Sequence, residues 1–325
     1  MTAAEVLGTQ ETAGGTEAAD TVLVAAGQLG PADASRAGTV KRIVSLIRQA
    51  GEAGVGLLVL PELALSPYFA AAVHDDIGAF VEPGFPSDET APIVAAVRDA
   101  GIVTVVPHAE RRGGVVYNSS AVLGVDGQVT GWYRKSHIPG QLDPDQSGEF
   151  AILEKRYFAP GNLGFPLHSS PAGPFGIGIC YDRRFPELYR CYALQGASVV
   201  ACCYNTPVIA DETLESTQDK QELAVRSGAI ANGVPVIAAG KAGVEGGVRY
   251  SAGSCVIDYE GRILAKAATE GDELVTAELD LRAAADARAQ LDLAANRRPE
   301  LYGLLTMPPG APGTSGAPGT SGTKE

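Results

Sequence analysis

From Thr21 to about Thr306 short apolar runs alternate with segments of helical spacing, and this alternation restricts the chain to an α/β fold. TVLVAAGQ (Thr21–Gln28), GLLVLPE (Gly56–Glu62), IVTVVP (Ile102–Pro107), PFGIGIC (Pro174–Cys180), ASVVACCYN (Ala197–Asn205) and VPVIAAG (Val234–Gly240) read as strands. Helical spacing falls on Ser35–Ala53, Ala91–Ala100, Pro186–Gln195 and Gln218–Asn232, the last stopped by Gly233. Asn118–Lys135 reads as a hairpin turning at Asp126-Gly127. Further strands are expected in Ser254–Ala267, with a turn at Glu260-Gly261, and in Glu273–Leu281. No linker-like composition interrupts residues 21–306, which therefore read as one domain.

The flanks differ in composition. Residues 1–20 are small, polar and acidic, and read as a disordered arm. Residues 307–325 carry GAPGTS twice, at Gly310–Ser315 and Gly316–Ser321, and read as a flexible tail, because Pro and Gly at this density cannot pack a core. The first twenty residues show neither a basic n-region nor an apolar h-region, so no secretory signal is read there. No apolar run approaches the length of a membrane span.

The formal net charge of −13 repels phosphate backbones and anionic lipid, so neither nucleic acid nor membrane is expected as a partner. The five cysteines form no CxxC pair, and the histidines His74, His108 and His168 are too scattered to serve as a ligand set. No metal and no cofactor is expected. An odd number of cysteines in a chain too large to need disulfides fits a reducing, cytoplasmic setting.

Three reactive side chains stand at the downstream ends of apolar runs. Glu62 follows LLVLP, Lys135 follows the second strand of the hairpin, and Cys180 follows GIGI. Ligands gather beyond the carboxyl ends of strands in α/β sheets, so these distant residues can meet in one pocket. The trio suits acyl transfer. A free thiol, with a pKa of about 8.5, is mostly un-ionised at neutral pH. A carboxylate can take its proton, and an ammonium can stabilise first the thiolate and then the oxyanion. The charged turn DRR after Cys180 is electropositive and favours a thiolate, and the backbone N–H of Tyr181 is placed to be a second oxyanion donor.

PEL at Pro61–Leu63, YRKSHIPG at Tyr133–Gly140 and GICYDRRFPELYR at Gly178–Arg190 resemble the Glu, Lys and Cys motifs of the nitrilase superfamily. The resemblance runs from about Val22 to Leu305. It implies a four-layer α-β-β-α sandwich, a small-molecule substrate, and assembly as a homodimer or homotetramer. Within the superfamily the likeness is greatest to the N-carbamoyl-D-amino acid amidohydrolases, through LEKRYFAPGNLGFP (Leu153–Pro166), CYDRRFPE (Cys180–Glu187), YNTPV (Tyr204–Val208), AGKAGVEGG (Ala239–Gly247) and NRRPELYGLL (Asn296–Leu305). Carried over residue by residue, it implies Glu154 as a second carboxylate, and Arg183, Arg184, Asn205 and Thr206 as substrate-binding residues. Three positions depart from the carbamoylase pattern: Ile152 stands where His is usual, Tyr181 where Asn is usual, and Lys220 and Gln221 where a His is usual.

Each residue also has a purely structural reading. Arg183 and Arg184 can instead pair with Glu187 or Glu154, and Glu154 is as well suited to a salt bridge as to a site. His137 reads as a hydrogen-bonding residue behind the site rather than a proton shuttle. Cys202 and Cys203 lie inside a strand and read as buried small residues. The favoured function is hydrolysis of an N-carbamoyl amino acid to amino acid, ammonia and carbon dioxide. The rivals are an amidase on another small amide, a nitrilase, and a catalytically silent scaffold on the same fold.

Overall fold

Strands whose every residue is apolar must be covered on both faces, and two stacked sheets with outer helices achieve this. The computed structural model describes residues 20–33, 35–144, 151–209 and 212–307. Apart from Asp20 and Met307, the expected arm and tail lie outside these residues. One sheet is built from β1 (Thr21–Gln28), β2 (Leu57–Val59), β3 (Val81–Glu82), β4 (Val103–Arg112), β5 (Val115–Leu123), β6 (Val129–Arg134) and β15 (Glu273–Asp280). Its order is β15-β1-β2-β4-β5-β6, with β3 also paired to β4. The second sheet contains β7 (His168–Ser170), β8 (Gly173–Ile179), β9 (Val199–Tyr204), β10 (Val236–Gly240), β13 (Cys255–Ile257) and β14 (Ile263–Lys266), in the order β14-β13-β10-β9-β8-β7. A separate hairpin pairs β11 (Ala242–Glu245) with β12 (Val248–Ser251).

The period of two along each strand sorts its side chains between layers. Leu57 and Val59 join the core between the sheets, whereas Leu58 faces α1 (Arg36–Glu52) and α2 (Ala91–Ala100). In β9, Val199, Ala201 and Cys203 point into the same central core. Val200, Cys202 and Tyr204 pack instead against α4 (Pro186–Leu194) and α5 (Leu214–Asn232). Helix, sheet, sheet and helix therefore stack as the expected α-β-β-α sandwich. Cys202, Cys203 and Cys255 are buried within it.

The helices begin where capping chemistry allows. Ser35 caps α1 by accepting from Gly38 N, and Thr213 caps α5 by accepting from Ser216 N. The expected start of α5 at Gln218 is therefore late by one turn. Gly101 and Gly233 close α2 and α5 in the left-handed conformation. Not expected were β3, β7, α3 (Glu154–Tyr157), the β11–β12 hairpin and α6 (Leu281–Leu291), the last capped by Asp280. Among the described residues no helix is long and apolar enough to cross a membrane.

Two histidines are buried inside this frame. His108 stacks on Phe85 and contacts Val106 O through Nδ1 at 3.0 Å; His168 packs against Phe175. Burial lowers both to about 4. In the unfolded chain each titrates near 6.5, so the unfolded state takes up more protons as the pH falls from 6.5 towards 4, and stability is lost across that window. We expect roughly 2 kcal/mol of loss per histidine between pH 6.5 and 5. Urea midpoints at these two pH values check it; a flat profile would contradict neutral burial.

Candidate active site

Parallel strands present their carboxyl ends on one edge, and the site forms there. β1, β2 and β4 are mutually parallel, as are β8, β9 and β10. Two antiparallel pairings, β4 with β5 and β5 with β6, return β6 to the direction of β2. Glu62 follows β2, Lys135 follows β6, Cys180 follows β8 and Asn205 follows β9. The topology thus joins four residues that are far apart in sequence.

Lys135 is the centre of the polar cluster. Its Nζ donates to Glu62 Oε1 at 2.8 Å and to both oxygens of Glu154, at 2.9 and 2.7 Å. All three side chains are buried. Burial alone would lower the Lys135 pKa, but the charges of Glu154 and Glu62 outweigh it and hold the ammonium above its ordinary range. Burial raises Glu154 above the usual carboxylate range; Lys135 pulls it back without cancelling the effect, and Glu62 adds to the rise. The backbone around Lys135 is held closely: Gly161 N donates to Lys135 O at 2.8 Å, where a Cβ on Gly161 would lie 2.1 Å from Arg134 O.

Glu62 is fixed by three further groups. Asn118 Nδ2 donates to Oε1 at 2.8 Å, Asn205 N donates to Oε2 at 3.1 Å, and Asn205 Nδ2 donates to the Glu62 carbonyl at 2.8 Å. Glu154 also accepts from Tyr68 OH at 2.8 Å. Neither Tyr68 nor Asn118 was singled out in the sequence, because a lone Tyr or Asn carries no motif.

Cys180 opens a 3-10 turn, Cys180–Arg184, directly after β8. Its φ is +48°, and Leu63, directly after Glu62, has the same φ. Left-handed backbone at a β-branched-free but non-glycine residue costs about 1 kcal/mol or more and collects at functional sites. Asp182 holds the turn in place. It accepts from Ile179 N at 3.0 Å, Tyr133 OH at 2.7 Å and His137 N at 3.0 Å, with His137 Nδ1 at 2.7 Å. His137 stacks on Phe185 with ring centroids 3.6 Å apart. This ties the loop after Lys135 to the turn of Cys180. Tyr181 lies in the first turn of the 3-10 segment, where backbone N–H groups have no partner within the helix.

The pull of the DRR turn on the Cys180 thiol is opposed by its surroundings. Burial pushes the half-buried Cys180 thiol up to about 11, and Glu62 adds to the rise, against Lys135 and Arg183. The positive charge of the DRR turn is real, but desolvation and two carboxylates exceed it. A thiol of this kind needs a base at the moment of attack.

Cys180 and Glu154 open onto a cleft of about 190 Å³, also lined by Tyr181, Arg183, Arg184, Asn205 and Thr206. Ile152, Lys220 and Gln221 line it too, so every departure from the carbamoylase pattern falls on the cleft wall. The two arginines differ. Arg183 is buried; its Nη1 donates to Cys180 O at 2.9 Å and lies 3.5 Å from Sγ, and its Nη2 donates to Thr206 Oγ1 at 2.7 Å. Arg184 is exposed. Neither pairs with Glu187 or Glu154 among the described residues.

Residues 23–289 match the family described as carbon-nitrogen hydrolase. The chain is 31% identical over 278 residues to citrullinase of Francisella tularensis, which covers 82% of this chain and 92% of that protein. It is 31% identical over 274 residues to N-carbamoylputrescine amidase of Arabidopsis thaliana, covering 81% and 88%. A solved carbon-nitrogen hydrolase from Helicobacter pylori G27 shares the fold at a TM-score of 0.78 and 29% identity, covering 88% of this chain and 99% of that one. These relatives carry names other than N-carbamoyl-D-amino acid amidohydrolase, so the likeness to that branch is narrowed to the family. The chain belongs to the carbon-nitrogen hydrolases of the nitrilase superfamily, enzymes that cleave C–N bonds other than peptide bonds.

Proposed function

We propose that this protein hydrolyses the ureido group of a small N-carbamoyl amino acid, releasing ammonia, carbon dioxide and the amine. The observation that carries this reading is the buried Lys135 ammonium, held between Glu62 and Glu154 beside the Cys180 turn. Two relatives, citrullinase and N-carbamoylputrescine amidase, are named for ureido compounds. Glu62 takes the thiol proton as Cys180 attacks the ureido carbonyl. The oxyanion so formed is met by Lys135 Nζ and the Tyr181 N–H. Glu62 returns its proton to the leaving nitrogen, and ammonia departs. Water, deprotonated by the same Glu62, then attacks the thioester carbonyl and frees Cys180. The carbamate released loses carbon dioxide to give the amine. Glu154 stays on Lys135 and maintains its charge.

The cleft also suggests how a substrate carboxylate is held. Arg183 is committed to Cys180 and Thr206, whereas Arg184 lines the cleft with no side-chain hydrogen bond or ion pair among the described residues, so it is the guanidinium proposed for a bidentate grip. Arg184→Ala is expected to lower kcat/KM for a carboxylate-bearing ureido substrate by about 1.5–3 kcal/mol, and to spare the amidated analogue. Arg183→Ala should impair both substrates alike. Ammonia release is the readout, across N-carbamoyl-D-, N-carbamoyl-L- and ω-ureido amino acids and plain amides. Turnover confined to plain amides would replace the ureido reading with an amidase. Equal loss on charged and neutral substrates would remove the Arg184 clamp. A homodimer or homotetramer remains the proposed assembly, measurable by solution mass.

A further inference from the structure

Another largely buried ion pair stands beside the Pro61–Glu62 segment. Lys241, directly after β10, and Glu245, at the end of β11, are joined at 2.9 Å, and Pro61 and Lys241 line one small cavity. Glu245 makes more than an ion pair. Its Oε1 accepts from Tyr68 N at 2.7 Å and from Lys241 Nζ at 2.9 Å; its Oε2 accepts from Ala32 N at 2.7 Å and from Lys241 Nζ at 3.0 Å. Lys241 Nζ also lies 3.3 Å from Ser66 O. One carboxylate thus binds the loop after β1, the loop after β2 and the β11–β12 hairpin. Burying two charges costs several kcal/mol, which the Lys241 contact and the Tyr68 and Ala32 N–H groups offset here. Placement is what the pair adds.

The residue placed is Tyr68. Its backbone N–H is held by Glu245, its ring meets Tyr250 edge-on at 6.3 Å between centroids, and its OH reaches Glu154 at 2.8 Å. Glu154 in turn receives Lys135. We propose that the Lys241–Glu245 pair positions Tyr68 and, through the Tyr68 hydroxyl, fixes the Glu154 carboxylate on Lys135. This rests on the catalytic reading of Lys135 given above. Glu245 and Lys241 are positioning residues; neither touches the reacting atoms.

A double-mutant cycle separates placement of Tyr68 from general support of the fold. Glu245→Gln keeps the shape but turns one acceptor oxygen into a donor. Glu245→Gln and Tyr68→Phe are each expected to lower kcat about 10-fold, with KM changed less than about 2-fold. The double variant should be no slower than the slower single one. A second readout needs no substrate: the rate of iodoacetamide alkylation at Cys180, followed by peptide mapping. Without the Tyr68 hydroxyl, Glu154 holds a proton to higher pH, and one negative charge that opposes thiol ionisation is weakened. Alkylation at fixed pH should therefore quicken about threefold in each variant, and no further in the double. If Glu245→Gln does not fold, Lys241→Met/Glu245→Met replaces both charges by hydrophobes and should show the same kcat loss and the same alkylation change. Losses that multiply in the double variant, or wild-type kcat and alkylation in Glu245→Gln or the Met pair, overturn the proposal. Should the wild type turn over no ureido compound or amide, the catalytic reading fails on its own, and the alkylation cycle still decides whether Glu245 acts through Tyr68.

Discussion

Cys180→Ala is expected to reduce C–N hydrolysis by about 10⁵-fold or more, the scale seen when a covalent nucleophile is deleted, with folding nearly unchanged. Little native structure depends on the sulfur. Among the described residues its one acceptor is Asn205 O, at 3.8 Å, and its one donor is Arg183 Nη1, at 3.5 Å. Arg183 would still bind Cys180 O, which belongs to the backbone. Cys191 is the other cysteine with partial exposure, but it lies on α4 and does not line the cleft. Ammonia release and a denaturant midpoint, measured together, check this expectation. Retained turnover, or a large loss of stability, would contradict it.

Lys135→Met should be the most disruptive single change to both activity and stability. It removes the oxyanion partner and leaves Glu62 and Glu154 buried without a counter-charge. Breaking a buried pair in this way costs about 3–5 kcal/mol. The pH dependence supplies a signature. Without the ammonium, the folded-state pKa of Glu154, already above the usual carboxylate range, rises further, so the folded state binds protons more tightly. Stability of the variant should therefore increase as the pH falls through that raised pKa, until other groups such as the buried histidines titrate. Adding Glu154→Gln should restore part of the lost stability at neutral pH and none of the activity. Urea titrations of both variants at pH 7 and pH 6 check this. A stable, pH-insensitive Lys135→Met would show that the cluster is not a balanced charge triad.

Much of this arrangement was legible in the sequence because it follows from periodicity. GLLVLPE and ASVVACCYN have apolar side chains on both faces, which demands two covered faces and hence the sandwich. Glu62, Lys135 and Cys180 stand where LLVLP, the second hairpin strand and GIGI stop, so their meeting follows from strand direction. Contacts made through single polar groups were not legible. Tyr68 reaches Glu154 across 86 positions and Asn118 reaches Glu62 across 56, and neither carries a motif that marks its partner. The β11–β12 hairpin was missed because Gly243, Gly246 and Gly247 interrupt its alternation, although all three need the positive φ that they adopt. Helix α6 was missed because Ala and Arg dominate it and only Ala284 is buried. The rise of the Cys180 thiol was not legible for a different reason. Neighbouring charge can be read from sequence, but desolvation depends on burial and only the folded structure supplies it.

The most direct single measurement is the mass of Cys180-containing peptides from enzyme quenched with acid during turnover of an N-carbamoyl amino acid, alongside ammonia release. An acyl adduct on Cys180, present in the wild type, absent in Cys180→Ala and formed as ammonia is released, is the predicted result. Ammonia release at the wild-type rate from Cys180→Ala, with no adduct on either protein, would contradict a cysteine nucleophile at this site.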